Sequence, residues 1–257
     1  MRKIAAAILL AVTALAAAGG EEKAAAPEGL LHLALPGRTW ALDIALGGFA
    51  MEESQMARDG GSLSIMANNK ATGVRISVFL EKAAKEGDSK ACRNYYWQGA
   101  EDGTGKDGRT IKFSERGETA IVESQLGSGD SVWKNTNAYL SRDGIWIDIH
   151  MSKFGYKAED AKSFDAVLDT VKINDAFTPT VEDYTRWGES FLATGSFLAA
   201  GENYGKAVEL EKKDPKLSKP QWRALVNEWG IAYGMMGDFE NAKKAFEYGI
   251  SVDAGYP

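Results

Sequence analysis

With Cys92 as its only cysteine, the chain cannot form an internal disulfide or a thiolate metal cluster. Histidine is nearly as scarce. His32 falls in an expected flexible lead-in and His150 stands alone on an expected strand, so neither points to a metal site, and no cofactor is expected. A basic excess is also missing. Thirty Lys and Arg against 36 Asp and Glu give a net charge of −6, which argues against a phosphate-binding surface and against nucleic acid as a partner. Beyond the first residues there is no second long apolar run, so no integral membrane span is expected once a leader has been removed. Apolar residues are plentiful: at 44% hydrophobic and 10% aromatic, 257 residues can bury one or two cores without staples, and two modest domains are expected.

The N-terminus reads as a secretory leader. Arg2 and Lys3 form a positive n-region, residues 4–15 are apolar or small, and Ala16, Ala17 and Ala18 offer a small-residue cleavage site. Cleavage after residue 18 would leave a chain of net charge −8 in the periplasm or outside the cell. No cysteine lies near the cleavage point to carry a lipid. Residues 19–36, rich in Ala, Glu, Gly and Pro, are expected to be a flexible linker.

From 37 to 176 the pattern predicts an α+β domain built on an antiparallel sheet. Trp40, Leu42 and Ile44 alternate with other residues, as do Val74, Ile76, Val78 and Leu80, and Ile145, Ile147 and Ile149. Shorter strands are expected at 62–67, 110–114, 119–125 and 137–141. Helices are expected at 89–99 and at 157–171, where Ala161, Phe164, Val167, Leu168 and Val171 recur at helical spacing. The Leu-Pro-Gly-x-x-Trp opening at 35–40, the Ser-Val-Phe-Leu-Glu strand at 77–81 and the closing Phe164-x-x-Val167-Leu168-x-x-Val171 helix together resemble the PsbP-like α-β-α sandwich. That resemblance implies a binding or assembly role.

Past Pro179 the strand pattern stops and the chain repeats itself. Trp187-Gly188 returns as Trp229-Gly230, Phe191 as Tyr233, Gly195-Ser196-Phe197 as Gly237-Asp238-Phe239, Ala200 as Ala242 and Tyr204 as Phe246, always 42 residues apart. The small residue, the aromatic three later, the Gly-x-aromatic turn, the Ala and the second aromatic resemble the tetratricopeptide (TPR) repeat. The resemblance implies an all-α TPR array at 180–257, with copies at about 181–215 and 223–257. A TPR copy is about 34 residues, and residues 214–220 would supply the insertion as a loop. Since each copy exposes an apolar face to the next, self-association through the open end of the array is an expected possibility.

Taking Gly188 and Gly230 as the eighth position of each copy, the resemblance assigns a partner-binding groove to Glu182, Thr185, Arg186, Glu189 and Leu192, then Ala224, Asn227, Glu228, Ile231 and Met235. No Lys-Asn pair stands where some TPR proteins hold a C-terminal carboxylate. An apolar or basic protein or peptide segment fits this acidic and apolar set better.

Other chemistry is thin. Asp148 and His150 share a strand face and could serve as an acid-base pair, but no Ser or Cys stands out as their nucleophile, so a structural role is expected. The glycine-rich segment 102–108 lacks the Ser or Thr of a phosphate-binding loop and the terminal Glu of a calcium loop, which leaves a turn. Cys92, on one helical face with Tyr95 and Tyr96, is expected to be buried as a small hydrophobe. The resulting expectation is an exported, non-enzymatic scaffold that binds a protein partner. The alternative is a ligand-binding or enzymatic sandwich domain with the helices as a docking arm.

Overall fold

The computed structural model describes residues 29–105, 107–253 and 255. The expected leader at 1–18 and the first part of the expected linker lie outside the described residues. Strands and helices follow one another as β1 (Leu30–Leu33), β2 (Ala41–Ala45), β3 (Ala50–Met56), β4 (Leu63–Asn69), β5 (Val74–Lys82), α1 (Ser89–Tyr96), β6 (Gly103–Thr104), β7 (Thr110–Arg116), β8 (Thr119–Leu126), β9 (Trp133–Arg142), β10 (Ile145–Phe154), α2 (Ala161–Leu168) and β11 (Lys172–Asn174). Four helices close the described chain: α3 (Val181–Ala193), α4 (Phe197–Lys213), α5 (Lys219–Met236) and α6 (Phe239–Val252). The class is α+β with a large antiparallel sheet.

That sheet has eight strands in the order β3-β4-β5-β10-β9-β8-β7-β6. Its centre is the β9–β10 hairpin, turned by Asp143 and Gly144, both at positive φ, as a two-residue turn between twisted strands requires. Alternation then sorts the side chains. Ile145, Ile147, Ile149 and Met151 enter the main core with Val74, Ile76, Val78 and Leu80 of the neighbouring β5. The opposite face carries Trp146, Asp148 and His150, and α1 covers only its end near Trp146, Tyr139, Ala120 and Val122. At one edge, β3 is almost wholly exposed and polar, which suits a strand with no neighbour on one side.

The core face is closed by α2 and by a second, three-stranded sheet of order β1-β2-β11. This corrects the expected linker at 19–36, because Leu30–Leu33 pair with β2 and Leu33, Ala34 and Leu35 are buried. His32 is therefore placed by a strand and bonds Asp43, which is buried, at 2.6 Å. Asp43 in turn accepts from Asn174 at 3.4 Å.

Helices α3 to α6 pack each on the next. A Thr180–Asp183 capping box starts α3, and a Ser218–Gln221 box with Pro220 in the first turn starts α5. The expected loop at 214–220 is correspondingly shorter, since its last residues are the first turn of α5. Helix α5 has 18 residues against 13 in α3, so part of the 42-residue spacing is helix. The helical part is not separate from the sheets. Trp187 is fully buried and its indole N–H donates to the Ala34 carbonyl at 3.1 Å, and one continuous core holds residues of both regions.

Candidate partner-binding face

Close helix approach is set by glycines. A Cβ on Gly188 would lie 2.7 Å from the Tyr204 ring, and one on Gly230 would lie 2.4 Å from the Phe246 ring. Between the two hairpins, Gly201 receives Tyr233 and Gly205 receives Trp229, with would-be Cβ distances of 3.0 and 3.3 Å. Aromatic rings of one helix thus lie on the bare backbone of the next, and α3 and α5 come to flank α4.

On α3, Glu182, Thr185, Arg186, Glu189 and Leu192 follow at three- and four-residue steps, as do Ala224, Asn227 or Glu228, Ile231 and Met235 on α5. The structure brings Glu228 near enough to Glu189 for its charge to be felt there. The Glu189 carboxyl is held above its ordinary range by loss of water first and by Glu228 second, with Arg186 opposing. Beneath them lies the Tyr204 hydroxyl, buried and without a hydrogen-bond partner among the described residues. Burial raises its pKa, and the charges of Glu228 and Glu189 raise it further.

Asn227, Ile231 and Met235 are exposed, Met235 at 60%. Glu182 is also exposed, whereas Leu192 packs against the core. Two residues of the expected set make hydrogen bonds within the protein. Arg186 bonds Asp183 at 2.5 Å and the His32 carbonyl at 3.3 Å, so it ties α3 to β1 while its charge still reaches Glu189. The Thr185 hydroxyl donates to Val181 of its own helix at 2.8 Å. Tyr204 was missed as a polar contributor because its ring reads as interhelical filling. The available signal was that its counterpart 42 residues later is Phe246, which lacks the hydroxyl.

The second copy ends differently. Lys243 and Glu247 stand where the first copy has Gly201 and Gly205, and they pair at 3.7 Å. Ile250 is 54% exposed while its counterpart Val208 is 0% exposed. A helix seated on α6 as α5 sits on α4 would have to displace that charged pair.

On the open face of the large sheet, Asp148 accepts from Asn137 at 3.1 Å and His150 is bonded to Asn135 at 3.0 Å. Burial, with Glu81 as a smaller contributor, pushes the Asp148 carboxyl up to about 6 against the Asn137 bond, and burial pushes His150 down. Near neutral pH the pair is thus a carboxylate and a neutral imidazole, each tied to a different asparagine. Ser77 lies opposite His150 across β5 and β10, but no hydrogen bond joins the two among the described residues. Cys92 is buried among Ala120, Val122, Tyr139 and Trp146, which pushes its thiol far up and away from reactivity. The 102–108 segment contains β6, which pairs with the start of β7. Among the described residues no cluster of His, Cys, Asp and Glu could hold a metal ion, and no helix is long and apolar enough to cross a membrane.

No family model matches the chain, and no curated protein does. A solved structure from Bacteroides thetaiotaomicron VPI-5482 aligns with 75% of this chain and 74% of its own at 11% identity and a TM-score of 0.37, a likeness too slight to argue from.

Proposed function

We infer that the protein is an exported, non-enzymatic scaffold whose α3–α6 array, read as two TPR copies on a PsbP-like sandwich, binds a basic, partly apolar segment of another protein. The observation that carries this reading is the Glu189–Glu228 pair above the buried Tyr204 hydroxyl, next to exposed Ile231 and Met235. The Glu228 charge makes the Glu189 carboxylate harder to form, and a cation placed beside the two would offset that. The leader-like N-terminus supports a periplasmic or secreted location. Self-association through α6 is the weaker reading, because the Lys243–Glu247 pair stands where the glycine grooves of α4 would be needed.

Removing residues 180–257 is a poor test, since α3 closes the core around Ala34. Fluorescence anisotropy with a labelled Lys/Leu amphipathic peptide avoids that problem. Wild type should bind it with salt-dependent affinity, and Glu189→Lys with Glu228→Lys should weaken binding at least tenfold while the far-UV spectrum is unchanged. Equal binding by both proteins would refute the reading.

A further inference from the structure

A cavity of about 310 Å³ opens between the core face of β7–β9 and helix α2, and no residue of α3–α5 lines it. Its floor contains a buried cation. Lys134 is 5% exposed, its ammonium bonds Glu123, and it lies 5.7 Å from the centre of the Tyr156 ring. Across the sheet, Glu123 stands directly opposite Lys112 on β7 and Thr136 on β9. Lys112 has no ion-pair partner among the described residues, so of the two lysines beside Glu123 only Lys134 is bonded to it. An ammonium carries three N–H donors, and Glu123 takes one of those on Lys134.

Arg116 adds no free positive charge, since its cluster with two carboxylates is net negative. Its guanidinium is spent on Asp165 at 2.9 Å and Asp169 at 2.5 Å, fastening β7 to α2 beside the cavity. Ser114, Thr136 and Tyr156 bring hydroxyls to the lining, with no hydrogen bond from them to other described residues. The Tyr156 and Phe164 rings, edge to face at 5.9 Å, form an apolar wall.

The lining is balanced in charge overall. Within it the cavity offers Lys112, which has no ion-pair partner among the described residues, beside the buried Lys134, a carboxylate acceptor, several free hydroxyls and an aromatic wall in the size range of small-ligand sites. We propose that it binds a small polyhydroxylated carboxylic acid of the uronic acid class, with the acid group held by Lys112 and Lys134. Glu123, Ser114, Thr136 and Tyr156 engage its hydroxyls, and the aromatic wall covers its C–H face. An inorganic anion would use only the lysines and a neutral sugar only the remaining groups, so both should bind more weakly.

Isothermal titration of the full chain with D-glucuronate tests this, with D-glucose, acetate and inorganic phosphate as separate arms. Saturable 1:1 binding of glucuronate is expected, at least tenfold tighter than any of the other three. Lys112→Met, on an exposed side chain, should weaken it at least tenfold, and Thr136→Val should weaken it by a smaller factor. Glu189→Lys with Glu228→Lys should leave it unchanged, which separates this site from the helical face. Absence of glucuronate binding, equal affinity in Lys112→Met, or equal affinity for phosphate would each overturn the proposal.

Discussion

The two helical hairpins share one sequence pattern and differ in what they pack against. Helix α3 buries Trp187 against the Ala34 carbonyl, whereas its counterpart Trp229 on α5 is half-buried and its indole N–H has no partner among the described residues. Helix α4 presents Gly201 and Gly205 to α5, whereas α6 presents Lys243 and Glu247. The shared positions make each hairpin, and the differing ones decide its neighbour.

The largest effect that would sharpen this comparison comes from the tryptophans. Trp187→Ala should cost about 3–5 kcal/mol by urea unfolding, as for a large buried aromatic, and Trp229→Ala only about 1–2 kcal/mol. Equal costs would break the asymmetry. Next, transplanting the α6 surface onto α4 by Gly201→Lys with Gly205→Glu should cost about 3 kcal/mol by overpacking against Tyr233 and Trp229. Loss of amide exchange protection in α5 and α6 before the sheet would locate that damage.

The sheet supplies a smaller, pH-dependent effect. The folded-state pKa of Asp148 is raised, so its protonated form is favoured on folding. The stability this contributes is full below the unfolded carboxylate value and is lost as pH rises through about 6. His150, lowered by burial, acts in the opposite sense, its contribution being lost as pH falls below the ordinary imidazole range. Asp148→Asn should therefore lose about 1 kcal/mol relative to wild type when pH drops from 7 to 5, read from paired denaturation curves. The smallest expected change is a gain. A Cβ on Gly234 would meet nothing within 4 Å, so Gly234→Ala in α5 should stabilise by about 0.5–1 kcal/mol.

Much of this architecture was legible where a pattern is local. The 42-residue register located the paired helices, and the alternation of Ile145, Ile147 and Ile149 located the core face of the sheet. Strand β1, which pairs with β2 alone, escaped notice because its own four residues show no alternation and it follows an Ala-, Glu- and Gly-rich stretch. Polar β3 hid for the opposite reason, since an edge strand has little apolar face to display. Of the proposed groove, Glu189 and Glu228 came from the 42-residue register together with the TPR resemblance. The capture of Arg186 by the His32 carbonyl depends on how α3 docks, and no periodicity within the helix encodes that. The cavity beneath α2 likewise depends on Lys112, Glu123 and Lys134 meeting across three strands.

The most direct test of the central claim is backbone amide chemical-shift mapping while the Lys/Leu peptide is titrated into the labelled protein. The account predicts that the largest shifts gather at Glu189, Leu192, Glu228, Ile231 and Met235 and vanish in the doubly charge-reversed variant. Shifts confined to the open sheet face around Asp148 and His150, or spread evenly over the surface, would contradict it.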